Sequence, residues 1–377
     1  MSGGPIWKSI RWVLVSQVMV WTVLRPGIAL TIEEPQTYGI VDLGTLGGDL
    51  SEAYGINNAG QVVGWSTRAD GAGHGFLYSG GAMTDLGTLI GGSASYATGI
   101  NDMGQVVGYG GINAYGPQFR EFTQGFIWTN GSMQPLGALY CPCSFNERYG
   151  TSAAYGINSA GQAVGDSRTV RGEVFRHAFL WQSGAMQDIG GGPGGTSISY
   201  AYGINDAGQV VGRLDDRAFL WQDGAGRQDL GTLPGHTWSA ARAINSQGRV
   251  VGESLAPTGT EGSAFLWEAG AMRDLGALAG DPWSQANGIN GRDQIVGRSG
   301  TRDWASSRAF LSQAGVMRDL NGLLPAGSGW ELQSASAIND AGQIVGVGMH
   351  DGRRRAFLMS PGGSSSSSGG RPGSRRL

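Results

Sequence analysis

The sequence predicts an all-β fold, a closed β-propeller of seven four-stranded blades with split-blade closure. Three observations predict it. An Ile-Asn pair recurs seven times, with Asn at 57, 101, 158, 205, 245, 290 and 339. Each copy is followed by the same succession of short, β-branched or aromatic segments between Gly-rich turns. The two ends of the array are complementary pieces of one unit.

The asparagines stand 40 to 57 residues apart, about 47 on average, a spacing that fits one four-stranded blade. Blade 4 illustrates the unit. Strand a is Ser-Tyr-Ala-Tyr-Gly-Ile (199–204), and strand b is Gln209-Val-Val-Gly212. Strand c is Ala218-Phe-Leu-Trp221, and strand d passes through Gln228-Asp-Leu-Gly231. Asn205-Asp-Ala-Gly208 has the Asn-first, Gly-last preference of a type I turn joining a to b. No segment of the repeats shows a 3.6-residue period, which excludes helical arrays. Strand a is expected to line the central channel, and its small residues, such as Ala201 and Gly203, suit that crowding.

The ends fit together. The last unit has strands a (Ser334–Ile338), b (Gln343–Gly346) and c (Ala356–Met359) but no strand d. The first repeat-like element is an orphan strand d, Tyr38-Gly-Ile-Val-Asp42-Leu-Gly44. Pairing the orphan with the incomplete blade hides both edges.

Composition agrees. The 377 residues include 69 glycines, more than twice the usual share of about 7%. Hydrophobic residues make up 40% and charged residues only 15%, so the chain is not a coiled coil, a helix bundle or a basic nucleic-acid-binding arm. Net charge is −3, although Lys8, Arg11 and Arg25 near the start and Arg371, Arg375 and Arg376 near the end are all basic. The repeats are therefore more acidic than the whole chain and offer nucleic acid no phosphate-neutralising surface.

Residues 1–29 read as a signal peptide. Lys8 and Arg11 precede the apolar run Trp12–Leu24, followed by Gly27 and Ala29. That run is shorter than the ~20 residues of a membrane-spanning helix. The expected protein is secreted or periplasmic, with no membrane span after signal removal. Residues 30–360 form the propeller, and residues 361–377 form a Gly/Ser/Arg tail expected to be disordered.

The motifs Phe-Leu-Trp, Asp-Leu-Gly-Thr-Leu-Gly-Gly and Gly-Ile-Asn-x-x-Gly-Gln-Val-Val-Gly resemble the bacterial HAF repeats, named for a His-Ala-Phe tripeptide, over about residues 38–359. His177-Ala178-Phe179 matches the name, and His74-Gly-Phe76 is close. Gln124, Arg217, Ser263, Arg308 and Arg355 stand in the His position elsewhere. The resemblance implies export and a repeat architecture, and no particular reaction.

Residues repeated in all or six of the seven units read as structural. They include the Ile-Asn asparagines and the strand-d acids Asp42, Asp85, Asp188, Asp229, Asp274 and Asp319, whose position Pro135 takes in one copy. No nucleophile, phosphate-loop or metal-ligand motif is present, so no catalytic residue, metal or cofactor is assigned. His74, His177, His236 and His350 lack ligand spacing. Cys141-Pro142-Cys143 is half a zinc set and reads as a loop feature.

Variation concentrates in the b–c and d–a connections, which emerge on one face of the propeller, where a rigid scaffold displays binding loops. The ligand-binding candidates on that face are Tyr115 and Arg120 in a b–c loop, Trp304 in another, and Trp238, Trp283 and Trp330 just before strand a. Exposed Trp, Tyr and Arg are the usual anchors of recognition. The competing reading is that the tryptophans cap blade cores. The function expected is a non-enzymatic binding or cell-surface interaction module for an extracellular glycan or protein. The alternative is a hydrolase or lyase acting on extracellular polysaccharide at the propeller axis. Convergent deep acids would favour the enzyme, and an aromatic face the binder.

Overall fold

The computed structural model describes residues 37–112, 122–139, 151–169, 175–191, 197–303 and 306–362. The expected signal segment, the tail beyond 362, Cys141, Cys143 and most of the two longest loops lie outside these residues.

The described residues form a β-propeller whose blades are four-stranded antiparallel units, two of them joined into one eight-stranded sheet by a single parallel pair, Gly262↔Trp283. Blade 1 comprises Gly47–Ile56, Val62–Arg68, Gly73–Ser79 and Ala82–Asp85, and blade 2 Ala94–Ile100, Val106–Ile112, Phe122–Thr129 and Ser132–Pro135. Blade 3 comprises Ser152–Ile157, Ala163–Arg168, Arg176–Gln182 and Ala185–Asp188, and blade 4 Ser199–Ile204, Val210–Leu214, Arg217–Gln222 and Gly226–Gly231. Blade 5 comprises Trp238–Ile244, Val250–Leu255, Gly262–Glu268 and Ala271–Gly276, and blade 6 Trp283–Ile289, Ile295–Gly300, Ser307–Gln313 and Val316–Asp319. Blade 7 has Trp330–Ile338, Ile344–His350 and Arg353–Pro361. Its outermost strand is Tyr38–Asp42, in antiparallel register from Tyr38↔Pro361 to Asp42↔Phe357. In each blade the four segments are strands a to d, inner to outer.

Cores lie between blades, because each sheet buries both faces against its neighbours. Strand c supplies one Phe per blade, at 76, 126, 179, 219, 265, 310 and 357, and all seven are at most 1% exposed. One cluster joins Val211, Ala218 and Leu230 of blade 4 to Ala241, Val250 and Phe265 of blade 5. Another joins Leu43, Val345 and Ala356 of blade 7 to Ala53, Val62 and Phe76 of blade 1. The Gly that ends Val-Val-Gly in strand b is there because strand a runs against it. A Cβ on Gly212 would sit far inside van der Waals contact with the carbonyl oxygen of Tyr200.

The a–b turns hold the blades in register. Gly208 N donates to Asn205 O at 3.0 Å, the expected type I turn, and Gly208 has φ +74°. Asn205 Oδ1 accepts from Ala207 N and Gln209 N, and its Nδ2 donates to Asn245 O in the next blade at 3.0 Å. The same inter-blade bond runs from each repeat asparagine to the next. Asn339 Nδ2 donates to Asn57 O at 3.0 Å, returning the circuit to its start.

A second set of bonds clamps the other end of strand a. Ser239 Oγ accepts from Ala218 N at 2.9 Å and donates to Gly231 O at 2.6 Å, tying blade 5 to strands c and d of blade 4. Ser51, Ser95, Ser152, Ser199 and Ser284 make the same bridge, and all six serines are fully buried. Blade 7 carries Gln333 at this position. There Asn321, in the short 3-10 turn Leu320–Leu323, bonds Leu332 N and O instead.

Candidate functional site at the propeller axis

Every strand a carries a β-bulge at one position. The register slips between Ala53 and Gly55, Ala97 and Gly99, Ala154 and Gly156, Ala201 and Gly203, Ala241 and Ala243, Ala286 and Gly288, and Ala335 and Ala337. A bulge leaves its extra residue unpaired and re-aims the side chain. The extra residues are Tyr54, Thr98, Tyr155, Tyr202, Arg242, Asn287 and Ser336, all half-buried. The residues flanking them barely vary among blades, whereas these differ strongly. They form a variable ring on the innermost strands.

Two further positions complete a belt around the axis. One is the strand-a residue two before the bulge: Glu52, Tyr96, Tyr200 and Gln285 among others. The second is the strand-b residue after the Val-Val-Gly glycine: Trp65, Tyr109, Asp166, Arg213, Glu253 and Arg298. Both lie in the half of the channel nearer the b–c and d–a connections, because strand a starts and strand b ends there.

Blades 1 to 4 contribute mainly aromatic rings. Trp65 stacks on Tyr96 at 5.8 Å and 8°, and Tyr96 on Tyr109 at 5.1 Å and 20°. Tyr109, Tyr155 and Tyr202 continue the contact at 6.3 and 5.8 Å, and Tyr200 stacks parallel to Tyr202 at 5.9 Å. Gly73 makes room for the first of these rings, since a Cβ there would strike the Trp65 indole.

The acids of the belt are paired. Asp166, fully buried, receives the Tyr155 hydroxyl at 2.7 Å and lies 2.6 Å from Arg176. Burial pushes its pKa up, against the opposing pull of Arg176 and of the Tyr155 hydrogen bond. Glu253 accepts from Arg242 Nη2 and Gln285 Nε2, both at 2.7 Å. Glu52 accepts from Arg354 Nε at 2.7 Å and Tyr54 Oη at 3.1 Å. Burial raises the Tyr54 and Tyr155 hydroxyls well above the usual phenol range, with the adjacent carboxylates adding to it. The Arg298 guanidinium lies 4.4 Å over the Trp283 ring, and burial brings its pKa down to about 10.

The opposite end of the channel is different. A cavity of about 260 Å³ opens there, lined in all seven blades by the Ile-Asn pair and the residue after it. The asparagine side chains are occupied by the inter-blade circuit. The following residues bond to one another: Asn58 N and Nδ2 reach Asp102, Ser159 N and Oγ reach Asp206, and Gly291 N reaches Asp340. This mouth is a structural collar.

The six residues singled out from sequence fall in four places. Tyr115, Arg120 and Trp304 lie outside the described residues. Trp283 is 1% exposed and packs under Arg298, which corrects its reading as an exposed anchor: it seals the blade 5–6 interface. Trp330 is half-buried, stacked on His350 at 4.5 Å and edge-on to Phe357 at 6.0 Å. Trp238 has the matching contact, with Arg213 5.4 Å over its ring, but is half-buried where Trp283 is sealed, so its ring stays accessible beside the axial belt. In the sequence the bulge ring is marked by the single variable column inside Ala-x-Gly-Ile-Asn, which alternation alone does not distinguish from an ordinary strand position.

The repeated acids act as expected of turn-formers. Asp42, Asp85, Asp188, Asp229 and Asp274 accept from the Gly N–H two residues on, and Asp319 from Asn321 N. The His-Ala-Phe position faces them. His74 and His177 meet Asp85 and Asp188 at 2.8 and 2.7 Å, and Arg217 and Arg308 meet Asp229 and Asp319 at 3.3 and 3.2 Å. The blade with Pro135 in place of Asp has neutral Gln124 opposite. Among the described residues no group of three or more His, Cys, Asp or Glu is placed to hold a metal ion, and no helix is long and apolar enough to cross a membrane.

No family profile matches the chain, and no curated protein does. Solved structures do. YCF48 bound to a D1 peptide is 10% identical with a TM-score of 0.50, over 89% of this chain and 98% of that one. The shared feature is the β-propeller fold. A puromycin-hydrolyzing peptidase of Mycobacterium tuberculosis is 14% identical with a TM-score of 0.48, over 90% of this chain. This chain spans about half (53%) of that peptidase's length. The β-propeller domain of the Trilobed protease from Pyrococcus furiosus is 8% identical with a TM-score of 0.47, over 83% and 96% of the two chains.

Proposed function

We propose that this propeller is a non-enzymatic, exported binding module of HAF-like repeats that takes an extracellular glycan or protein at the axial end bordered by the b–c and d–a connections. The observation that carries the reading is the belt of stacked rings from Trp65 to Tyr109, continued edge-on to Tyr155 and tilted to Tyr202, set on bulged and adjoining strands. Rigid aromatic surfaces with fixed polar partners are the usual means of recognition. Each belt acid is matched by an arginine, which suits positioning better than proton transfer. A screen of the full chain against immobilised glycans and peptides tests the reading. Tyr96→Ala should weaken any ligand found by about 10-fold or more while melting stays near the parent. A ligand indifferent to Tyr96→Ala and Tyr109→Ala would remove the belt from the site.

One observation favours the alternative of a polysaccharide hydrolase or lyase: Asp166 is buried, its pKa is raised, and a tyrosine hydroxyl points at it. Polymer shortening by the parent, lost in Asp166→Asn, would establish that alternative. Export rests on Lys8, Arg11 and the run Trp12–Leu24. Recovery outside the cytoplasm with a mature start near Leu30 is the expected outcome.

A further inference from the structure

The belt is not uniform around the axis. At the junction of blades 4 and 5, five planar groups are in contact in turn: Trp238, Arg213, Tyr200, Tyr202 and Arg242. The Arg213 guanidinium carbon lies 5.4 Å from the Trp238 ring and 5.1 Å from the Tyr200 ring. Tyr200 and Tyr202 are parallel within 2°, and Arg242 lies 4.7 Å over Tyr202. The two arginines are treated differently. Arg242 is neutralised by Glu253 at 2.7 Å. Arg213 Nη1 donates to the carbonyl oxygen of Asp215 in its own turn, and no carboxylate among the described residues pairs with it. Asp215 itself turns its Oδ1 to Ile198 N at 2.9 Å. A half-buried guanidinium in contact with two rings is already ordered, and its Nε and Nη2 have no acceptor among the described residues. That arrangement matches the two oxygens of a carboxylate.

Resting on the binding reading above, we propose that the ligand is an acidic glycan and that Arg213 takes the carboxylate of a uronate ring, with Trp238 at the end of this stack and the rings of blades 1 to 3 packing against pyranose faces. The rings favour a sugar over an acidic peptide, because a pyranose offers a flat C–H face to each of them, whereas a carboxylate side chain on an extended peptide would use the arginine and leave the aromatic surface uncovered.

The test titrates the full chain with oligogalacturonate, with its methyl ester (the same ring without the charge), and with polyglutamate. Oligogalacturonate should bind at least about 10-fold more tightly than the other two. Arg213→Gln should abolish that preference with unchanged melting. Arg213→Lys, which keeps the charge but not the planar fork, should recover only part of it. Equal binding of acid and ester, or an Arg213→Gln variant that binds as the parent does, overturns the carboxylate assignment. Loss of ester binding in Tyr96→Ala would in that case leave the channel-end site standing. Polyglutamate bound as tightly as oligogalacturonate overturns the glycan assignment in favour of an acidic peptide. Absence of oligogalacturonate binding overturns it as well.

Discussion

At the scale of single residues, two side chains of one type can have opposite duties. Trp283 is buried under Arg298, whereas Trp238 is half-buried beside the belt. Trp283→Ala should cost about 3–5 kcal/mol, as loss of a buried aromatic does. Trp238→Ala should leave melting nearly unchanged and weaken the ligand, and thermal melts with titrations of both variants check the split. A second residue-scale prediction concerns a paired exception. Six a–b turns carry Gly where blade 6 has Asp293 at φ +60°. Blade 5 carries Arg249 where the other blades have Gln, and Arg249 pairs with Asp293 across the interface. Asn245 Nδ2 uses Asp293 Oδ1 at 3.2 Å in place of the usual Gln oxygen. Arg249→Gln alone leaves the Asp293 carboxylate facing a neutral partner, and Asp293→Gly alone takes away one of the two carboxylates on the guanidinium, leaving Glu268 at 3.1 Å. The double variant restores the pair found elsewhere, so it should melt closer to the parent than the two single effects added together.

At the scale of elements, the strand Tyr38–Asp42 is the test of blade 7. Tyr38 is 1% exposed and packs in the blade 6–7 core, and the strand covers the outer edge of Arg353–Pro361. Deleting residues 38–46 removes a buried aromatic and bares a hydrogen-bonding edge. The expected result is loss of a cooperative melt and aggregation, read by calorimetry and light scattering. A deletion variant as stable and monomeric as the parent would contradict it. The strand set was legible beforehand because each element carries its own signal. Strand a of blade 4 spans Ser199–Ile204 as expected, strand b starts one residue later than expected and ends two later, and strands c and d extend one or two residues beyond the expected cores. Those ends are set by pairing partners, which local sequence does not record.

At the scale of the whole molecule, the axial belt makes stability depend on pH in a definite direction. Burial raises the pKa of Asp166 above its unfolded value, so the folded chain takes up this proton at a pH where the unfolded chain has not. The contribution is fully present below the unfolded value and is lost as pH rises through the folded one. Relative to Asp166→Asn, the parent should therefore gain stability on acidification from about pH 7 towards about pH 4, as measured by melting at each pH. A flat or inverted difference would show that Arg176 outweighs burial. The sequence by itself determined the β architecture, the repeat period, the complementary ends and the structural duty of the repeated Asn and Asp. Those properties follow from local turn chemistry and from residues that recur. Only the tertiary structure decided the rest: that Ser239 and its counterparts clamp neighbouring blades, that Trp283 is sealed while Trp238 is not, and that one unlike residue from each of seven distant strands stands around a single axis. The physical reason is that a bulge and the circular packing of sheets bring together positions about 47 residues apart, where each side chain's neighbours belong to a different repeat.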